Sequence, residues 1–237
     1  MKDLNKAGHL DQYHYLGTQA CDHVIELLGI QADASVLDIG SGIGGPARYL
    51  SANTGCKVVG VELQGELTDA GAELTARVEG LAERVAFVTG DFSSDACVLP
   101  QSQFDHFVSL LVFLHIPDRA KLLSRCFEHL KPGGYLLWHT PFMFPFHGVP
   151  ADYFRYTHAG AAAVCEDAGL EVIEAAPDGG YAAVLGHVVG MDTRFFSDEE
   201  IHRVRELPHW KDLDNLHHKV SYHLSTKLVA RKPPSDA

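Results

Sequence analysis

From about residue 35 to residue 175, short apolar runs alternate with segments whose apolar residues recur three and four apart. That alternation predicts parallel strands covered by helices. The apolar runs place strands at Ser35 to Ile39, Lys57 to Leu63, Val85 to Thr89, His106 to Val112, Tyr135 to Thr140 and Leu170 to Glu174. Pro46 sits where a first helical turn tolerates it, and Gly55 stops that helix. Leu122, Leu123, Cys126, Phe127 and Leu130 repeat at helical spacing before Lys131-Pro132-Gly133-Gly134. Thr157 can cap an alanine-rich helix that ends at Gly169.

Two stretches break the alternation, and specificity is expected there. Pro141 to Tyr156 is rich in proline and aromatics and contains His147, so it reads as an ordered loop beyond a strand end. Residues 177 to 219 form an insertion or lid, with a capping box at Ser197-Asp198-Glu199-Glu200. A last strand follows at 220 to 231, and the polar, Pro-rich tail reads as frayed. The expected organisation is one domain: an N-terminal cap at 1–34, a cofactor-binding core at 35–176, then the insertion and the last strand.

Composition narrows the function. A chain of 237 residues that is 46% hydrophobic can build one well-buried domain. A net charge of -12 without a local Lys/Arg cluster disfavours a nucleic-acid partner. The N-terminus lacks a signal-peptide core and the longest apolar stretch is too short to span a bilayer, so a cytoplasmic protein with no membrane partner is expected. Five scattered cysteines with no CxxC pair suggest neither a disulfide framework nor a zinc cluster. The histidines, including His217, His218 and His223, lack a ligand spacing, and no metal is expected.

The richest segment is Val36-Leu-Asp-Ile-Gly-Ser-Gly-Ile-Gly-Gly45, an apolar strand entering a glycine turn that opens a helix. Glycines there let a ligand lie against the backbone. Asp38 ends the strand, where it suits a cationic amine. Glu62 ends the next, about 20 residues beyond Gly40, where it suits two ribose hydroxyls. Gly40, Gly42 and Gly45 also spell GxGxxG, so an NAD-type oxidoreductase is a rival reading. Asp38 disfavours it, because an anion beside the turn repels a pyrophosphate.

Over roughly residues 10 to 175 the chain resembles the class I S-adenosylmethionine-dependent methyltransferases. The resemblance rests on VLDIGSGIGG, Glu62 in VVGVEL, Gly90-Asp91-Phe92, VSLLVFLHIPD and LKPGGYLLW. It implies an α/β fold: a Rossmann-like, doubly wound, mostly parallel sheet with an N-terminal cap helix and insertions after strands 5 and 6. It implies S-adenosylmethionine as cofactor, with S-adenosylhomocysteine as product. Asp38, Gly40 and Gly42 would line the methionine part, Glu62 would hold the ribose, and Leu63 would pack on adenine. Asp91 and Phe92 would meet the adenine edge, and Leu111 lies in the fourth-strand motif beside the cofactor.

The segment Asp11-Gln-Tyr-His-Tyr-Leu-Gly17 resembles the N-terminal cap of small-molecule methyltransferases, including glycine-derivative N-methyltransferases. There Tyr13 or Tyr15 would close over the cofactor, or else pack the first helix. The Pro141 to Tyr156 loop resembles a region that borders the acceptor pocket. Its Arg155 either clamps an acceptor anion or pairs with Asp152 three residues earlier. His139 and His147 are candidate bases, with a structural role as the alternative for each. His115 is expected to shape the cofactor pocket.

Methyl transfer needs alignment, water exclusion and, for some acceptors, loss of a proton, so no catalytic triad is expected. The expected acceptor is a small polar molecule, an amine or amino-acid derivative methylated at nitrogen. A hydroxyl or carboxyl acceptor, and a binding protein without turnover, are the other readings. The sequence leaves the oligomeric state open, a homodimer included.

Overall fold

The computed structural model describes residues 11–12, 17–179, 184, 186, 188 and 224–235. The elements run α1 (Thr18–Leu28), β1 (Ser35–Ile39), α2 (Gly45–Thr54), β2 (Lys57–Glu62), α3 (Gly65–Ala76), β3 (Val85–Thr89) and β4 (Phe104–Leu110). A single 3-10 turn (Phe113–His115), α4 (Arg119–His129), β5 (Leu130–Pro141), α5 (His158–Asp167), β6 (Glu171–Asp178) and β7 (Ser225–Arg231) complete them. The sheet order is β3-β2-β1-β4-β5-β7-β6. Pairings among β1 to β5 are parallel, whereas β7 runs antiparallel between β5 and β6.

Both faces of the central strands are buried, which is why β1 and β2 read as continuous apolar runs. Leu37, Val59, Phe107, Leu136 and Trp138 pack on one face with Leu122, Cys126 and Cys165 of α4 and α5. Their neighbours Val36, Val58, Val108 and Leu137 point to the other face, against Cys21, Val24 and Leu28 of α1 and Ala47 and Leu50 of α2. The sheet is doubly wound.

Thr157 caps α5, its hydroxyl accepting from the Gly160 N–H at 3.0 Å. Asp118 caps α4 through the Lys121 N–H at 3.0 Å. Several boundaries differ from the sequence expectation. β5 begins at Leu130 rather than Tyr135, because Leu130 pairs with Phe104 across an irregularity in β4. β6 extends to Asp178, two residues into the expected insertion, and β7 begins at Ser225. The Ser197 capping box and the His217, His218 and His223 group lie outside the described residues. Among the described residues no helix is long and apolar enough to cross a membrane.

Candidate functional site

A cavity of about 660 Å³ opens at the carboxyl ends of β1, β2 and β4. Ligands of open α/β sheets bind at this edge, because the loops that leave the strands diverge there. Its walls include Gln12, Ile39, Gly40, Glu62 and Leu63, and Gly90, Asp91 and Phe92. Leu111, Val112, His115, Phe144, His147 and Val149 line it as well, with the Val112 side chain packed against Gly40.

The glycine turn is shaped for a ligand. Gly42, at φ 53, has open space where a side chain would project, so the backbone can be approached closely. Its N–H donates to Glu62 Oε2 at 3.0 Å, and the Gln64 N–H donates to Glu62 Oε1 at 3.1 Å. The Glu62 carboxylate is thus held at the cavity wall, and each oxygen keeps a further lone pair for a hydroxyl donor.

Asp38 precedes the cavity-lining Ile39 in β1 and, like Gly42, is not itself among the residues that wall the cavity. It is 2% exposed, and its Oδ2 has no hydrogen-bond partner among the described residues. Burial, and secondarily the negative charge of Glu62, push its carboxyl up to about 7. A buried acid left this way is costly alone, and a cation or donor that reached it from a ligand would relieve that cost. The two acceptors Asp38 and Glu62 are of the kind that would fit the amine and ribose of S-adenosylmethionine.

The remaining expected residues divide clearly. Leu63, 60% exposed at the cavity wall, offers an apolar face for a ring. Asp91 lines the cavity while its Oδ1 accepts from the Ser93 N–H and hydroxyl at 2.9 and 2.7 Å. Phe92 lines it too, yet is 3% exposed and packs edge-on to Phe107 at 5.9 Å, so much of its ring belongs to the core. Leu111 lines the cavity with a left-handed φ of 63, a strained conformation for a branched residue. Its N–H donates to the His139 carbonyl at 2.8 Å. Tyr13 and Tyr15 lie outside the described residues.

His147 stands at the cavity wall, its ring 5.2 Å from that of His115 at 74°. His115 Nδ1 is hydrogen-bonded to the Ala151 carbonyl. A carbonyl only accepts, so Nδ1 carries the proton and neutral His115 keeps its lone pair on Nε2.

His139 and Arg155 are not among the residues that form this cavity. His139 shares strand parity with Leu137, so it faces α1, where its Nε2 meets Ser225 Oγ at 2.7 Å and Asp178 Oδ2 at 3.5 Å. Arg155 grips both oxygens of Asp152 and donates to the Pro145 carbonyl at 3.1 Å. Asp152 also accepts the His147 N–H at 2.8 Å. Burial raises the Asp152 carboxyl, but the Arg155 and His147 hydrogen bonds outweigh it and hold it below its ordinary value. The loop-brace alternative for Arg155 is the one seen. Gln12 was not anticipated from sequence, since nothing in its own chemistry marks a lone glutamine before two tyrosines.

A family model described as a methyltransferase domain matches residues 37–138. That span holds Asp38, the glycine turn, Glu62, Asp91 and His115. The seven-stranded, mostly parallel sheet has the fold of class I methyltransferases. The sterol 24-C-methyltransferase of Yarrowia lipolytica is 35% identical over 107 residues, 45% of this chain and 27% of that enzyme. That of Saccharomyces cerevisiae is 34% identical over 121 residues, 51% of this chain and 29% of its own length. The chain thus spans under a third of these relatives.

Among solved structures, Haemonchus contortus phosphoethanolamine N-methyltransferase 2 in complex with S-adenosyl-L-methionine superposes with a TM-score of 0.66 at 20% identity, over 92% of this chain and 53% of that one. The cyclase SpnF superposes with a TM-score of 0.65 at 20% identity, over 92% and 81%. Such likenesses establish the fold, which hosts more than one chemistry.

Proposed function

We propose that this chain transfers the methyl group of S-adenosylmethionine to a small acceptor, at an amine nitrogen carried on a partly apolar body. The observation that carries the reading is one continuous cavity joining Asp38's strand end, the glycine turn and Glu62 to an apolar wall bearing two histidines. Asp38, Gly40 and Gly42 would hold the amino-acid end of the cofactor, Glu62 its ribose, and Leu63, Asp91, Phe92 and Leu111 its remaining surface. When bound, the cofactor supplies an electrophilic methyl group.

The chain's own residues then have three tasks. Val112, packed against Gly40, and Phe144 offer an apolar surface to the acceptor. The brace of Arg155 and Asp152 fixes the loop that carries His147. His147 or the lone pair of His115 Nε2 takes the acceptor's proton, a task suited to imidazole near neutral pH. The likeness to sterol 24-C-methyltransferases favours a carbon acceptor as the second reading.

The test is to incubate the protein with S-adenosylmethionine and panels of amines, alcohols and unsaturated lipids. S-adenosylhomocysteine release and the mass of the product are then measured. N-methylated product supports the first reading and C-methylated product the second. Absence of S-adenosylhomocysteine binding overturns both.

A further inference from the structure

Residues 11–12 lie across the glycine turn, held by contacts that the transfer chemistry leaves unused. Arg48 of α2 is almost buried, and its Nη2 donates to Asp11 Oδ2 at 2.9 Å. Its Nη1 donates to the Ile43 carbonyl at 2.6 Å, the Gly71 carbonyl at 3.3 Å and Thr75 Oγ1 at 3.4 Å. One guanidinium therefore ties three segments together: the strap at 11–12, the end of the glycine turn and α3.

Gly45 makes room for the strap. A Cβ there would stand 1.8 Å from the Asp11 carbonyl oxygen and 2.9 Å from Gln12 Nε2. Any larger residue would lift the strap off the first turn of α2. The strap in turn delivers Gln12 to the cavity wall beside Gly40. Its carboxamide is oriented from both sides, Nε2 donating to Asp11 Oδ1 at 3.4 Å and Oε1 accepting from Cys21 Sγ at 3.5 Å. A carboxamide offers a donor and an acceptor in one plane, which matches a ligand end that carries both a carboxylate and an ammonium.

We infer that Gln12 is a cofactor-binding residue and that Arg48, acting through Asp11, is the positioning residue that latches it over the cofactor. The inference rests on the reading that the cavity takes S-adenosylmethionine. The latch governs how slowly the cofactor leaves, because release requires the strap to lift. The Asp11 side chain is 34% exposed and that of Arg48 10%, so the pair is strong enough to hold the strap yet open enough to break without unfolding α2.

The test is release of tritiated S-adenosylhomocysteine from the full chain, chased with unlabelled ligand, alongside the melting temperature without ligand. Asp11→Asn should release the ligand roughly three- to tenfold faster, as expected for losing one charge-assisted contact, with the melting temperature nearly unchanged. Asp11→Glu keeps the charge and should release at close to the wild-type rate. Gln12→Ala should also speed release, and the double variant with Asp11→Asn should be no faster than the faster single, since both act through one contact. Wild-type release by Asp11→Asn, whether or not it melts earlier, overturns the latch alone. Failure of the wild-type protein to bind the ligand overturns the cofactor reading and the latch with it.

Discussion

Replacing Asp38 by Asn separates the cost of this residue to the fold from its use in binding. The carboxyl is buried, and its titration is displaced from an ordinary 3.8 to about 7, chiefly by desolvation and then by Glu62. The sign follows from proton binding. Between those two values the folded chain holds a proton that the unfolded chain has lost, so this group makes stability fall as pH rises. Below about pH 4 it contributes nothing, and above about pH 7 the penalty levels off at roughly 4 kcal/mol. Asparagine cannot ionise and escapes that penalty, although its amide carries a pH-independent cost of about 1–3 kcal/mol if unpaired. The stability of Asp38→Asn relative to wild type should therefore rise from pH 4 to pH 7 and then stay constant, a swing on the order of 10 °C in melting temperature for a chain of this size.

The same substitution should weaken S-adenosylhomocysteine, by roughly ten- to a hundredfold, because the ligand's ammonium loses a charged acceptor. In the wild type near pH 6.5, binding of a cation beside Asp38 should release protons, seen calorimetrically as a binding enthalpy that depends on the buffer. Asp38→Asn should show no such dependence. Melting curves of the ligand-free protein from pH 4.5 to 8.5 decide the point. A stability difference that is flat across that range would refute the account of Asp38 as a buried, ionisable acid.

Glu62→Gln should weaken S-adenosylhomocysteine by roughly ten- to a hundredfold in titration calorimetry, since Oε2 orders the turn through the Gly42 N–H, Oε1 accepts from the Gln64 N–H, and the residue lines the cavity. Unchanged affinity in a folded variant would place the ribose elsewhere. Arg155→Lys and Asp152→Asn should lower the melting temperature by similar amounts, about 2–4 °C for a lost contact of about 1 kcal/mol. Both should leave cofactor affinity near wild type, because the pair braces a loop and does not itself wall the cavity. A large rise in acceptor KM for Arg155→Lys without the matching effect in Asp152→Asn would restore the arginine as a substrate clamp.

How far the sequence could be read depended on whether each feature is set locally. β1 and β2 were readable because two-sided burial writes itself as runs of Val, Leu and Ile. β4 instead runs Phe104–Leu110 against an expected His106 to Val112, ending where Leu111 turns to a left-handed φ. The turn at Gly40 to Gly45 and the acids at Asp38 and Glu62 were readable because strand-end chemistry is local. The same two-sided burial hid the orientation of His139. With Trp138 and Leu137 buried on opposite faces, no polar alternation marks which side its neighbour faces. Arg155 was ambiguous for a related reason, since i+3 spacing from Asp152 admits a pair but does not require one. The early start of β5 depends on the distant pairing of Leu130 with Phe104, which no local pattern encodes.

The choice between a dinucleotide and S-adenosylmethionine, left to Asp38 by the sequence, is sharpened by what packs on the glycines. A GxGxxG dinucleotide site uses the exposed first turn of the following helix, where backbone N–H groups and the helix dipole receive the pyrophosphate. Here the first turn of α2 is covered: the Asp11 carbonyl oxygen occupies the space above Gly45, and the Asp11 carboxylate is bound to Arg48 beside it. An approaching pyrophosphate would meet a carbonyl dipole and the Asp11 carboxylate, both negative towards it. Arg48, the nearby cation, is already turned to four acceptors. Titration calorimetry should therefore give no binding heat for NAD or NADH at concentrations where S-adenosylhomocysteine saturates. Micromolar NAD affinity in the wild type would show that the strap does not keep a pyrophosphate off the turn and would reopen the oxidoreductase reading.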